Sequence, residues 1–352
     1  MLTLSAWMYS QNTKTMKPTD FSKYISDFIS GHLLNERGAS ANTITAYRDA
    51  FVLMLNFIQQ VKRIKPEKLT LDKIKKETII EFLNWLQRER KCSNTTRNAR
   101  LAAIHSFYRY LQHQDLSNFH EVQKILSIRF KKTSQAAIKY LTVEGMKLLL
   151  KQTDTTASKG RRDLALLSLL YDTGARVQEI IDLTPSSLRL GKPATIKIIG
   201  KGNKARLVPM LDAQVALLKS YLQENRLNEP DAGASALFFN SKKEKLTRAG
   251  INHIVQKYYA MAKAENKMLM PDKICCHSFR HSKAMHLLQA GVNLVYIRDI
   301  LGHVSVQTTE IYARADSMQK RKALEKAYVN VTPDQEPAWL KSDSLISWLQ
   351  RL

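Results

Sequence analysis

Glycine and proline are scarce in this chain, 12 and 9 among 352 residues, which excludes collagen-like and Pro/Gly-rich disordered classes. Cysteine is scarcer still. Cys92 stands alone and Cys275 and Cys276 are neighbours, a poor disulfide framework that fits a reducing compartment. No uninterrupted apolar run approaches the roughly 20 residues that span a bilayer. The opening string MLTLSAWMYSQNTKTMKP lacks a basic stretch followed by a long apolar core, which argues against a secretory leader. A soluble, cytoplasmic protein is therefore expected. Acidic side chains are also in deficit: Lys and Arg total 55 against 31 Asp and Glu, a net charge of +24. That excess says nothing about fold, but it favours a polyanionic partner, nucleic acid ahead of an anionic membrane surface. The cations are spread over the whole length, which suits a broad binding surface better than a basic tail. Charge alone does not separate DNA from RNA partners.

What the chain does have is apolar residues at helical spacing. They make up much of a 44% hydrophobic content, enough for two domains with buried cores. Phe21, Tyr24, Ile25, Phe28 and Ile29 predict a first helix, broken at Asn35–Gly38. Ser40 or Asn42 can cap a second, carrying Ile44, Tyr47, Phe51, Met54, Leu55 and Ile58. Ile79, Phe82, Leu83 and Leu86 mark a third; Leu101, Ile104, Phe107, Tyr108 and Leu111 mark a fourth that opens at Ser93 or Asn94. Thr95, Thr96, Arg97 and Arg100 fall on its first turns, where hydroxyls, cations and backbone N–H groups can meet phosphates. Periodicity weakens over 115–139, read as a linker whose basic stretch holds Lys131 and Lys132 as further phosphate contacts. A second domain over 140–330 opens with a helix capped by Thr142. Its one β signal is Thr195–Ile199 and Arg206–Met210 flanking the glycine-rich Gly200–Lys204, a hairpin. The expected organisation is an extension over 1–17, a helical domain over 18–114, the linker, the second domain, and a tail over 331–352. In that tail Leu345, Trp348, Leu349 and Leu352 make a short amphipathic helix, which covers its own domain or, the favoured reading, docks on a neighbouring copy.

Chemistry-bearing residues concentrate in the second domain: Arg176 in TGARVQE, Lys201 in GKGNKAR, His277 and Arg280 in HSFRH, His303 in LGH and Tyr312 in TTEIYAR. Phosphodiester cleavage by a side chain needs a nucleophile, charge compensation on phosphorus, a proton sink and a donor to the leaving alkoxide. Tyr312 can attack, although a phenol with a pKa near ~10 needs help at neutral pH. Arg176 and Arg280 can each fork onto non-bridging oxygens and together replace the metal pair of many nucleases. His277, three residues before Arg280 and on the same helix side, suits proton exchange at the attacking oxygen. His303 follows Gly302 at what reads as a helix start and can donate to the phosphate. Lys201, in the hairpin turn, can protonate the 5′-oxygen.

In this order and context the residues resemble the tyrosine recombinases, or phage integrase family. That family has an Arg in T-G-x-R-x-x-E, a β-hairpin Lys, an H-x-x-R helix, an L-G-H motif and a nucleophilic Tyr shortly after. Here they read Thr173–Glu179, Lys201, His277–Arg280, Leu301–His303 and Tyr312, with Glu179 at the position of the acidic residue that braces the site. The match covers nearly the whole chain, and its C-terminal motifs are far more specific than its N-terminal pattern. The resemblance implies a mainly α fold with a small β-hairpin or sheet (α+β). It implies a helical SAM-like core-binding domain and a catalytic domain closing as a C-shaped clamp on duplex DNA. It implies a 3′-phosphotyrosyl intermediate, a Holliday junction in a homo-tetramer linked by exchanged tails, inverted-repeat core sites, a possible accessory recombination factor, and no cofactor, ATP or metal. The early start of the first domain leaves little room for an arm-binding domain, so a simple-site recombinase is expected.

Type IB topoisomerases share this chemistry and are the nearest alternative; a DNA-binding protein without catalysis is another, disfavoured by the intact set. A metallonuclease is not supported, because Ser278 stands where a zinc-binding helix spaced like His277 and His281 needs Glu.

Overall fold

A computed structural model describes residues 17–115, 117–133, 138–200, 202–303 and 305–315, together with 346, 349 and 350. Lys201 and most of the tail, including Leu345, Trp348 and Leu352 of the expected amphipathic helix, lie outside the described residues. The chain divides into two compact units, residues 1–135 and 136–352.

The first unit is helical. Thr19 accepts the Ser22 amide to start α1 (Asp20–Ser26), which runs on as a π-helical stretch over Asp27–Glu36. The break falls before Gly38, whose φ of +55° favours glycine. Ser40 and Ser93 accept amides at the starts of α2 (Ala41–Val61) and α4 (Asn94–Gln114), with α3 (Lys76–Arg88) between them. The apolar stripes meet at Phe107, which lies edge-on to Phe21, Phe28 and Phe51 with centroids 5.4–5.9 Å apart. Residues 115–139 are not all linker. Phe119–Leu126 forms a further helix, α5, whose Val122 and Ile125 are buried in this core. The Glu121 carboxylate accepts the Lys76 amide, which ties α5 to the start of α3.

In the second unit Thr142 caps α6 (Val143–Lys151), followed by α7 (Ser158–Thr173) and the short α8 (Val177–Ile181). The hairpin belongs to a three-stranded antiparallel sheet, β1 (Leu188–Arg189), β2 (Thr195–Ile199) and β3 (Ala205–Pro209), with Ile196 opposite Val208 and Ile198 opposite Arg206. Ile196, Ile198 and Val208 face inward, joining Leu166, Leu169, Leu170 and Phe279 in the core. Then come α9 (Asp212–Glu224), α10 (Arg248–Glu265), α11 (Cys276–Gln289), α12 (Leu294–Leu301) and α13 (Gln307–Ala315). Ala284, Met285, Ile297, Leu301 and Tyr312 form a smaller cluster where α11, α12 and α13 meet. The segment leading into α6 is fastened to α11: the Leu141 amide donates to Ser282 Oγ at 2.8 Å, and its carbonyl lies 2.9 Å from His286 Nε2. The other nitrogen of His286 is 2.8 Å from the Tyr171 hydroxyl of α7. Among the described residues no helix is long and apolar enough to cross a membrane.

Candidate active site and nucleic-acid interface

Two glycines and one arginine explain why the T-G-A-R and L-G-H strings lie together. Gly174 ends α7 in the left-handed region (φ +56°), and a Cβ there would meet Leu301 Cδ2 at 2.5 Å, so Leu301 packs directly over the turn. The turn delivers Arg176 to the N-cap of α8, where its amide donates to Glu179 Oε2 (3.0 Å) and its guanidinium to Oε1 (2.8 Å). Glu179 is buried and takes a second guanidinium, Arg206 Nη2, at 2.7 Å. Arg206 also donates through Nε to the Ile300 carbonyl at 2.9 Å, linking β3 to the end of α12. Gly302, φ +65°, closes α12 against that same guanidinium: a Cβ would stand 2.8 Å from Arg206 Nη1. Gly302→Ala is therefore expected to cost at least about 1–2 kcal/mol for the left-handed backbone alone. Denaturant unfolding checks this; an unchanged midpoint would contradict the close approach.

This arrangement corrects one expectation. His303 does not open a helix but follows the glycine that ends α12, and its Nδ1 lies 2.8 Å from the Thr309 hydroxyl in α13. α11 supplies the rest. Arg280 is buried, donates Nη1 to the Gly174 carbonyl at 2.8 Å, and has no hydrogen-bond partner at Nη2 among the described residues. Tyr312 is also buried, at 1% exposure, and its hydroxyl is hydrogen-bonded to His281 Nδ1 at 2.9 Å. His277, expected at the attacking oxygen, is exposed at the start of α11; the imidazole on the phenol is that of His281, one turn later. His303 stacks beside the phenol, with ring centroids 6.4 Å apart and planes 9° from parallel.

The charges act on one another. Burial, then the charge of Arg176, draws Arg280 down to about 10, still cationic at neutral pH. Burial followed by the Arg280, Arg176 and Arg206 charges brings His303 down to about 4, so it rests neutral. Desolvation and the neighbouring cations likewise hold His277 and His281 below the usual imidazole range. Burial raises the Tyr312 phenol, against the opposing pull of Arg280 and Arg176. Burial pushes the Glu179 carboxyl up, but the hydrogen bonds and charges of Arg206 and Arg176 outweigh it and hold it below the ordinary glutamate value. The arrangement gathers guanidinium charge beside neutral imidazoles and a protonated phenol. Of the six expected catalytic side chains, five stand in this electrostatic neighbourhood and Lys201 lies outside the described residues. Arg206 and His281 join them.

In the first unit, Thr95 and Thr96 are exposed on the opening turn of α4. The strand of chain bearing Lys131 and Lys132 is laid against that turn, because Asn98 Nδ2 donates to the Lys131 carbonyl (2.8 Å) and Asn94 Nδ2 to that of Lys132 (2.9 Å). Arg97 departs from this face: at 5% exposure it is buried, donates Nη1 to Asn98 Oδ1 at 3.3 Å, and has Nε unpartnered among the described residues. Arg100 is half-buried and donates to the Ala46 carbonyl of α2 at 3.1 Å.

Residues 139–319 match the phage integrase family, and residues 26–115 match the phage integrase N-terminal SAM-like domain. The chain is 31% identical over 297 residues to the tyrosine recombinase XerD of Listeria innocua serovar 6a, covering 84% of this chain and 95% of that one. It is 29% identical over 314 residues to the tyrosine recombinase XerC of Thermodesulfovibrio yellowstonii, covering 88% and 97%. Among solved structures it is similar to the XerH site-specific recombinase bound to palindromic difH substrate in a post-cleavage complex, with TM-score 0.64 and 25% identity over 82% of this chain and 81% of that chain. It shares its fold with the Tn1549 transposon integrase in complex with transposon right-end DNA, TM-score 0.66 at 17% identity, over 85% of this chain and 98% of that chain.

Proposed function

This chain belongs to the phage integrase family and is a tyrosine-type site-specific DNA recombinase, and we propose that it cuts and rejoins duplex DNA through a 3′-phosphotyrosyl link at Tyr312. Arg280 carries the reading. A buried guanidinium with one nitrogen on the Gly174 carbonyl and Nη2 unpartnered among the described residues is costly to keep, by about 1–3 kcal/mol or more for a charged group. A non-bridging phosphoryl oxygen satisfies it with a charge-assisted bond. Arg176, held in place by Glu179, takes the other face of the phosphate, and His277 and His303 donate to its oxygens as it enters. The Tyr312 oxygen bonds phosphorus, the 5′-oxygen leaves with a proton from Lys201, and the freed 5′-hydroxyl attacks the phosphotyrosine of a partner duplex. Bond energy is conserved in the phosphotyrosine, so no ATP is consumed.

Two such rounds pass through a Holliday junction in a homo-tetramer on inverted-repeat core sites, joined by exchange of the tail after Tyr312, from Met318 to Tyr328 and again from Ser344 onward, in the cytoplasm. Thr95, Thr96, Lys131 and Lys132 hold the backbone of the duplex from the first unit. Covalent trapping tests the whole: the chain is incubated with a library of DNA fragments, denatured, and the protein-linked strands are sequenced. Adducts at one discrete sequence with inverted arms are expected, without ATP or divalent metal. Absence of adducts, or adducts scattered without sequence preference as from a nicking-closing enzyme, would overturn the proposal. Binding to the recovered site should weaken steeply with salt, roughly 0.9 log units per phosphate contact for each log unit of salt. A flat dependence would contradict the contribution of the phosphate contacts.

A further inference from the structure

We infer that His281 is the base that takes the proton of Tyr312 as the phenolic oxygen attacks, an assignment that rests on the phosphotyrosyl reading above. Three observations converge on it. The Tyr312 hydroxyl is buried, and the hydrogen-bond partner it has there is His281 Nδ1, at 2.9 Å. The other imidazole against the phenol, His303, has its Nδ1 committed to the Thr309 hydroxyl, itself fully buried. His277 is exposed, its ring centroid 6.3 Å from that of His281, and among the described residues it makes no hydrogen bond to the phenol. Helix geometry explains the division of labour. Successive residues turn by about 100°, so Arg280 and His281 face different partners from adjacent positions. Arg280 reaches the Gly174 turn, while His281 reaches α13.

The proton count closes. In cleavage the Tyr312 O–H bond breaks, an N–H bond forms at His281 Nδ1, the phenolic oxygen bonds phosphorus, and the 5′-oxygen leaves with a proton from a separate donor. In rejoining, the 5′-hydroxyl attacks, the phenolic oxygen departs and recovers its proton from Nδ1. A base must start neutral, and the surroundings of His281 keep it so. His277 and Arg280 flank it on α11, His303 faces it from the loop after α12, and Tyr312 faces it from α13. α7 meets α11 with Tyr171 and Asp172, which engage His286 and Lys283 instead, and Arg298 of α12 is paired with Asp299. The phenol gives up its proton as the O–P bond forms, which is the situation in which general bases contribute.

The test uses the full chain and a duplex made from the fragment recovered by covalent trapping, nicked beside the scissile phosphate so that adducts accumulate. His281→Asn can still accept the phenol hydrogen bond but cannot take a proton. It is expected to bind this DNA as the unsubstituted chain does and to form adducts about 10²-fold more slowly at neutral pH. Its rate should climb with pH where that of the unsubstituted chain is flat. His281→Ala should recover adduct formation on addition of imidazole; if His281→Asn loses its fold, seen as lost DNA binding, this rescue decides. An unchanged rate would overturn the assignment. So would a loss equal at every pH without imidazole rescue, which marks a residue that only positions the phenol. If the unsubstituted chain forms no adduct, the phosphotyrosyl reading itself fails; if it does and the variants match it, only the role of His281 fails.

Discussion

Tyr312→Phe is expected to yield a folded protein that binds duplex DNA normally and forms no covalent adduct with it. The side chain is 1% exposed and packs with Met285, Ile297 and Leu301, so the phenyl ring keeps nearly all of the apolar contacts. What is lost is one hydroxyl and its bond to His281 Nδ1. Leaving that nitrogen unpartnered costs on the order of 1–3 kcal/mol, a small part of the stability of a domain this size. The chemical effect is of another order, because phenylalanine has no atom to join to phosphorus. Gel mobility after denaturation reads the adduct, and binding at fixed salt reads affinity. Persistent adducts in Tyr312→Phe would remove the nucleophile assignment.

The second large effect is expected at Glu179. One buried carboxylate there answers two guanidinium groups, Arg176 at 2.8 Å and Arg206 at 2.7 Å, and accepts the Arg176 amide. Glu179→Ala strands Arg206, whose side chain is only 10% exposed, and frees Arg176 from its orientation. Breaking a buried pair in this way costs roughly 3–5 kcal/mol. Glu179→Gln keeps the shape and removes the charge, which separates packing from electrostatics. The carboxyl is held below its ordinary value in the folded protein, so its contribution is fully present above the unfolded glutamate range and fades as pH falls through the folded value. The gap in unfolding midpoint between the unsubstituted chain and Glu179→Gln should therefore be widest near neutrality and close on acidification. A gap independent of pH would show that the carboxylate charge contributes nothing.

The helix starts at Ser40, Ser93 and Thr142 were readable because each cap is a local rule, satisfied within three residues. The hairpin was readable from its alternation. α5 was not, since a short helix that buries Val122 and Ile125 has too few apolar positions to show a period. β1, two residues long, gives no pattern at all. Some misses had a usable signal. Arg97 lies four residues before Leu101 on the same apolar stripe as Ile104 and Tyr108, which puts it on the buried face. Arg206 alternates with Val208 on the inward side of β3, opposite Ile198. The glycine of L-G-H is the residue type that ends helices in the left-handed region, so the string marks a helix stop and not a start. His281 could be placed one turn after His277, but its attachment to Tyr312 spans 31 residues and depends on how α11 and α13 pack, which no local pattern encodes.

The fastening of Leu141 to Ser282 and His286 puts the entrance of the second unit in register with the helix that bears Arg280 and His281. Tension on residues 138–141 meets no slack loop there. Both polar groups of the Leu141 backbone are bonded to α11, and His286 relays the load to Tyr171 on α7. A displacement of the incoming polypeptide is thus felt on α11 at Ser282, one residue from His281 and two from Arg280.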